Sequence, residues 1–224
     1  MASLGLMLTY PGNPRARKIQ AVAALNGVTI DVAPDFVMGK TNKSNDFLSD
    51  FPLGKVPVFK STKGLKLFES GAVAQFVAES GPASGQLLGN TAEERAIIRQ
   101  WIDFSDNELF EPITPLILWR YNMAAYNDDQ EKLSIKRLTI SLDALEEHLS
   151  GRQYVATDQL SLADLSVAAG LYWGFAQVID REMSSKYPLT SEWYLRIVGN
   201  DAIKPAFGEH KPIEIRKIHP SCLH

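Results

Sequence analysis

The spacing of apolar positions changes along the chain, and that change divides it in two. Leu4 to Thr9 is a short apolar run, and the breaker cluster Tyr10-Pro11-Gly12-Asn13-Pro14 follows it. Ile19, Val22 and Leu25 then recur at helical spacing within Arg15–Asn26. Gly27 stands where a helix-ending glycine belongs, and Val28, Ile30 and Val32 alternate as in a half-buried strand. Residues 33–45 are irregular, and Asp46–Phe51 predicts a short helix that Pro52 ends. Two further apolar strands, Val56–Phe59 and Leu65–Phe68, are joined by a turn ending at Gly64, and Glu69-Ser70 opens a helix with Ser70 as its N-cap. The order β-α-β, loop, β-β-α predicts an α/β domain over residues 1–80, built on a four-stranded mixed sheet.

Beyond that point the period is helical throughout. The stretch SGPASGQLLGN (80–90), rich in small residues, reads as a linker. Thr91 and Glu94 form a capping box ahead of the stripe Ile97, Ile98, Trp101, Ile102 and Phe104. Pro112 and Pro115 are expected to bend or end that helix, and LILWRYNMAAY (116–126) resumes an apolar run. In Asp128–Ser150, Ile135, Leu138, Leu142, Leu145 and Leu149 recur at spacings of three and four, and Gly151 follows as a stop. Ser161 and Asp164 open a helix that is apolar nearly all round through Phe175, the mark of burial. Amphipathic pieces around Trp193–Ile197 and near Phe207 complete an all-helical domain over residues 91–210.

Composition narrows the function without naming it. The charge of −3 across 224 residues leaves no electrostatic footprint for nucleic acid. No apolar run approaches the roughly 20 residues that span a membrane. MASLGLMLTYPG lacks the charged segment of a signal peptide, so a cytoplasmic protein is expected. The single cysteine, Cys222, excludes an internal disulfide. The four histidines, His148, His210, His219 and His224, show no ligand spacing, and no metal site is read.

One stretch carries candidate chemistry. Pro57 cannot donate to a ladder, so it marks either a sheet edge or a cis peptide bond. The N–H groups at a helix start attract anions. Residues 54–77 therefore suit a short peptide, its backbone at Val56 and a carboxylate at Ser70. A small domain of this order suggests the thioredoxin fold, whose redox members carry Cys-x-x-Cys at the first helix. Here that site holds Tyr10 to Arg15 and no thiol, which excludes disulfide exchange on the protein itself. Arg15 near a helix start is unfavourable for the helix dipole, which hints at a purpose for it.

Val56-Pro57 at a strand entry, Glu69-Ser70 at a helix start and Ser161-Leu162-Ala163-Asp164 on the buried helix resemble the glutathione transferase superfamily in order and spacing. The strings LTYPGNPRA, FPLGKVPVF and LFESGAVAQFV are similar to the branch that includes the gamma subunit of elongation factor one B and stand-alone fungal transferases. The resemblance implies a thioredoxin-like N-terminal domain, an all-α C-terminal domain, and glutathione as co-substrate. It implies that Val56 and cis Pro57 meet the cysteinyl unit, that Glu69 and Ser70 hold the γ-glutamyl end, and that Lys55, with Asn42 or Lys43, meets the glycyl carboxylate. Asp103 would reach the glutathione of the partner subunit in a homodimer. Thiol activation falls to Tyr10 or, as the electrostatic alternative, to Asn13 and Arg15; a structural pairing of Arg15 to the second domain is the other reading. Aromatic residues between the domains, taken from Phe110, Trp119 and Tyr121, would line the pocket of a hydrophobic acceptor. The implied activity is a glutathione transferase of fungal secondary metabolism, or a glutathione-dependent cis–trans isomerase working through the same thiolate. A non-catalytic interaction module is the alternative from another class. A chain complete from Met1 to His224 favours the enzyme, and a trimmed domain favours the module.

Overall fold

The computed structural model describes residues 2–220, so Cys222 and His224 lie outside the described residues. Strands β1 (Gly5–Leu8), β2 (Asp31–Val32), β3 (Val58–Ser61) and β4 (Lys66–Leu67) form one sheet in the order β2-β1-β3-β4. β1 runs parallel to β2 and antiparallel to β3, with Met7 opposite both Val32 and Phe59. β3 is therefore an internal strand, which removes the edge reading of Pro57: the Val56-Pro57 bond is cis and lies just before the strand. β2 is shorter than its alternation predicts. Val28 and Ile30 pack on the core, but Val32 is exposed at the sheet edge.

Helix α1 (Pro14–Leu25) packs between the sheet and the helical half, burying Ile19 and Val22 completely. A short helix α2 (Asn45–Asp50) and helix α3 (Ser70–Glu79) complete the first half. Ser70 is not the N-cap of α3 as the sequence predicts. Glu69 holds that position at φ 65, and Ser70 is the first helical residue. The predicted linker is a packed joint: helix α4 (Ser84–Leu88) buries Leu87. The Asn26 side chain donates to the Val77 and Ala78 carbonyls and accepts from the Ala83 N–H, tying the ends of α1 and α3 to this joint.

In the second half the Thr91–Glu94 capping box opens α5 (Ala92–Phe104) as the sequence predicts, although Ile97 of its stripe faces solvent. Pro112 and Pro115 do not stop the chain. A wide π turn over Ser105–Phe110 carries it into α6 (Glu111–Arg120), with Pro112 in the first turn where its missing N–H has no helical partner. Helices α7 (Asp128–His148), α8 (Leu162–Gln177), α9 (Arg181–Ser184), α10 (Pro188–Val198) and α11 (Lys204–Phe207) follow. α8 is the axis of the molecule, buried on almost every face and packed against α1, α5, α6, α10 and the π turn. Gly170 makes the last approach possible, since a Cβ there would lie 2.6 Å from Ser105 Oγ. Among the described residues no strand follows β4, and no helix is long and apolar enough to cross a membrane.

One apolar core runs through both halves. A second, smaller cluster of Phe36, Phe47, Phe51 and Val58 lies under α2, with Tyr10 and Val56 packed on its side. That small cluster supports the candidate site.

Candidate active site

A cleft lined by Arg15, Phe51, Leu53, Lys55, Val56, Pro57, Phe68, Glu69 and Ser70 brings together residues from three separate stretches. The Val56 N–H has no partner among the described residues, and the Ser70 hydroxyl has none either, although Ser70 is only 5% exposed. Glu69 adopts a left-handed backbone that glutamate rarely takes, and its side chain does not cap α3. The first N–H groups of α3 therefore stay open toward the cleft, where the helix dipole favours a carboxylate. Lys55 is exposed on the opposite rim.

The predicted glycyl-end residues divide. Asn42 is buried, accepting from the Gly39 N–H at 2.6 Å and donating to the Gly54 carbonyl at 2.7 Å, so its amide braces the loop that carries Lys55. Lys43 is exposed, and its Nζ lies close to Gly54.

The start of α1 separates the candidates for thiol activation. Asn13 is 3% exposed and caps α1 through Oδ1, which accepts from the Arg15 N–H. Its amide nitrogen donates to Thr9 Oγ1 at 3.1 Å and lies 3.5 Å from the Val56 carbonyl. Asn13 is thus committed within the fold, tying α1 to the strand entry. Arg15 lines the cleft, lies 3.5 Å from Asp106 and sits with its guanidinium 4.0 Å over the Phe110 ring. It joins the two halves at the cleft wall. Tyr10 is half-buried, and burial pushes its phenol above the ordinary value against the opposing pull of the Arg15 charge. A phenol shifted upward stays protonated near neutral pH and serves as a hydrogen-bond donor, not as a base.

Tyr10 and Asn13 face a second cavity of about 400 Å³ on the other side of the Thr9–Asn13 loop. Its walls combine apolar residues, among them Val32, Phe36 and Pro205, with the polar side chains of Arg17 and Gln20. Of the predicted acceptor residues, Phe110 lies beside Arg15 and 5.4 Å from Trp173. Trp119 and Tyr121 are at the far end of α6 and line neither cavity: Trp119 is buried and donates to Glu131, and Tyr121 faces solvent. Asp103 lies outside the cleft of its own chain, in a two-bond pair with Arg99.

Two features escaped the sequence reading. Pro205 and Ala206 reach the second cavity from nearly two hundred residues away, and no local pattern signals that. Lys18 is 1% exposed. Its position four residues before Val22, on the apolar face of α1, was the available signal. Among the described residues no cluster of side chains is arranged to hold a metal ion.

The comparisons with known proteins agree with this geometry. The family model for the glutathione S-transferase N-terminal domain matches residues 5–79, and that for the C-terminal domain matches residues 110–201. The glutathione S-transferase-like protein FUS3 of Gibberella moniliformis is 43% identical over 97% of this chain and 99% of its own length. Elongation factor 1-gamma of Carassius auratus is 35% identical over 94% of this chain, which spans only 47% of that protein. Among solved structures, the glutathione transferase-like domain of elongation factor 1-gamma from Saccharomyces cerevisiae superposes with a TM-score of 0.81 at 24% identity, covering 95% of this chain and 97% of that one. The glutathione transferase URE2P6 from Phanerochaete chrysosporium, in complex with oxidized glutathione, superposes with a TM-score of 0.83 at 16% identity over 92% and 96% of the two chains. These two likenesses speak for the fold, and the sequence identity to FUS3 along both full lengths speaks for the lineage. The chain belongs to the glutathione S-transferase family.

Proposed function

We propose that this chain is a glutathione-dependent transferase acting on a hydrophobic electrophile. The observation that carries this reading is the set of unused groups in the cleft. An unpaired Val56 N–H, an unpaired Ser70 hydroxyl and the open start of α3 face the same space as the charged side chains of Lys55, Glu69 and Arg15. A tripeptide with an ammonium and a carboxylate at one end, a thiol in the middle and a carboxylate at the other uses each of them. The γ-glutamyl carboxylate takes the Ser70 hydroxyl and N–H, Glu69 takes the ammonium, and Lys55, with Lys43 nearby, takes the glycyl carboxylate. Val56 bonds the cysteinyl backbone.

The thiol of free cysteine ionises near pH 8.5, so the protein must favour its thiolate. The Tyr10 phenol, held protonated by burial, donates a hydrogen bond to sulfur, and the Arg15 charge stabilises the anion. Sulfur then bonds to the electrophilic carbon, the leaving group departs with its electron pair, and the thiol proton passes to solvent. The acceptor lies against Phe110, which sits beside Arg15 at the wall of the same cleft. With a conjugated alkene, addition, rotation and loss of glutathione give cis–trans isomerisation on the same groups. In a homodimer, Asp103 of one chain reaches the other's glutathione. A role in fungal secondary metabolism belongs to this same reading.

One observation favours a non-catalytic module: Asn13, at the start of α1, is spent on its own fold, and no serine or cysteine stands there. Titration calorimetry with glutathione, followed by turnover of a model electrophile and of a conjugated polyene, separates the readings. Tyr10→Phe is expected to leave glutathione binding intact and to lower turnover about a hundredfold. Binding without turnover favours the module, and no binding at millimolar glutathione overturns the enzyme reading.

A further inference from the structure

The geometry points to Asp106 as a positioning residue that holds the Arg15 guanidinium at the cleft wall, where its charge favours ionisation of the glutathione thiol. This inference rests on the glutathione-binding reading above. Arg15 and Arg17 lie two residues apart on α1 and are used differently. Arg17 donates to the Ala206 and Phe207 carbonyls at the end of α11 and lies over the Tyr172 ring, so it is spent on the fold. The Arg15 guanidinium donates no hydrogen bond among the described residues, and its Nε is buried without a partner. It is held by charge and by ring contact alone.

Both contacts come from the π turn. Asp106 lies 3.5 Å from a terminal guanidinium nitrogen, and the centroid of the Phe110 ring lies 4.0 Å from the guanidinium carbon. Phe110 in turn packs 5.4 Å from Trp173 of α8. The turn is itself fixed, because the Ser105 hydroxyl donates to the Ser166 carbonyl at 2.5 Å where Gly170 lets α8 come close. Single π turns are rare in helical chains and occur frequently at functional sites. Here α8 fixes the turn, the turn fixes Asp106, and Asp106 fixes Arg15.

Among the described residues Arg15 has no second ion pair. The charges that share its surroundings are the buried Lys18 on α1, Arg99 on α5, and Glu69 and Lys55 on the cleft walls, with the Tyr10 phenol beside them. Arg99 is held by Asp103 through two hydrogen bonds, and Glu108 of the π turn lies 4.0 Å from Arg137. Asp106 acts on the thiol through Arg15 in two opposed ways. Its negative charge offsets part of the guanidinium charge, which disfavours the thiolate. Its contact keeps a long side chain from spreading over many rotamers, which favours the thiolate. The two side chains are 34% and 32% exposed and share no hydrogen bond, so solvent screens the charge offset and the positioning effect prevails. Asp106 need not touch the ligand.

The sign of one measurement tests this: the titration midpoint of the thiol of bound glutathione, followed by the ultraviolet absorbance of its thiolate. Asp106→Asn is expected to raise that midpoint by about half a pH unit, and so to lower turnover about threefold below it. Asp106→Glu is expected to restore most of the shift, and Asp106→Asn in an Arg15→Leu background is expected to add none. The calorimetric affinity for S-methylglutathione, which has no thiol to ionise, is expected to stay unchanged. A midpoint that falls shows Asp106 acting only as an opposing charge, and a midpoint that stays shows a purely structural pair; either overturns the inference, as does weakened binding of S-methylglutathione. If Asp106→Asn does not fold, Arg15→Lys takes its place, since lysine keeps the charge without the planar fork. That variant is expected to raise the midpoint, and an unchanged midpoint overturns the inference. Failure of wild type to bind glutathione overturns the functional reading as well. A wild-type midpoint well below the free-thiol value of about 8.5, unmoved by Asp106→Asn, strikes at Asp106 alone.

Discussion

Helices α3 and α8 begin in opposite ways. At α8, Asp164 accepts from the Val155 N–H at 2.9 Å and from both the N–H and the hydroxyl of Ser161 at 3.0 Å, with both residues fully buried. Both carboxylate oxygens of Asp164 are used inside the protein. At α3, Glu69 holds the cap position in a left-handed conformation without capping, and the hydroxyl of Ser70 has no partner among the described residues. In sequence both starts pair a hydroxyl residue with an acid, adjacent in Glu69-Ser70 and three positions apart in Ser161 and Asp164. One is closed to complete a core, and the other is left open on a cleft. A helix start whose donors the fold declines to satisfy is the one available to a ligand.

The sharpest way to break the contrast is Asp164→Ala. It strands three buried donors and is expected to cost about 3–5 kcal/mol of stability, read by urea denaturation. If it costs less than Ser70→Ala, the assignment of α8 as the structural start fails. Acid loosens the same closed half. Burial lowers His210 to about 4 from 6.5, and its imidazole bonds Tyr172 of α8 and the Tyr194 hydroxyl. A folded pKa below the unfolded one means this stability is complete above pH 6.5 and is lost as pH falls from 6.5 toward about 4. With partial exposure screening it, the loss is about 1–2 kcal/mol, and His210→Gln is expected to remove that pH dependence from denaturation curves.

On the open side, Ser70→Ala is expected to weaken glutathione binding about tenfold while leaving stability within about 0.5 kcal/mol, since the hydroxyl has no internal bond to lose. A large fall in melting temperature instead makes α3's start structural. The smallest effect is the most discriminating. Glu69→Gly relieves the left-handed backbone and is expected to raise stability by about 0.5 kcal/mol while weakening glutathione binding, as the proposed contact of Glu69 with the ligand ammonium requires. Gain in one measurement with loss in the other marks strain kept for binding.

Much of this was legible beforehand for a specific reason. Period and punctuation are local, so the apolar run of β1, the capping box of α5, the three-and-four spacing of α7 and the all-round apolar face of α8 announced themselves. Val56-Pro57 and Glu69-Ser70 stood out because proline and cap residues restrict the backbone whatever surrounds them. The misplaced details were those that neighbours decide. Ser70 is a good cap by composition, but the turn leaving β4 delivers the chain one residue early, and Glu69 takes the cap position. Pro112 and Pro115 look like stops, but the π turn widens the helix and packing on α8 carries it through. The stretch 80–90 looks flexible, and Asn26 and Leu87 lock it.

The sequence by itself determined the division into a mixed-sheet half and a helical half and the absence of a thiol at the first helix. These follow from short-range covalent and steric preferences that each segment carries with it. Only the tertiary structure decided which polar groups remain free. It spent Asn13 and Asn42 on the fold, moved Trp119 and Tyr121 away from the cleft, brought Arg15 against Asp106 and Phe110, and buried Lys18. Whether a side chain is available for chemistry depends on which partners reach it, and partners distant in sequence meet only when the chain folds.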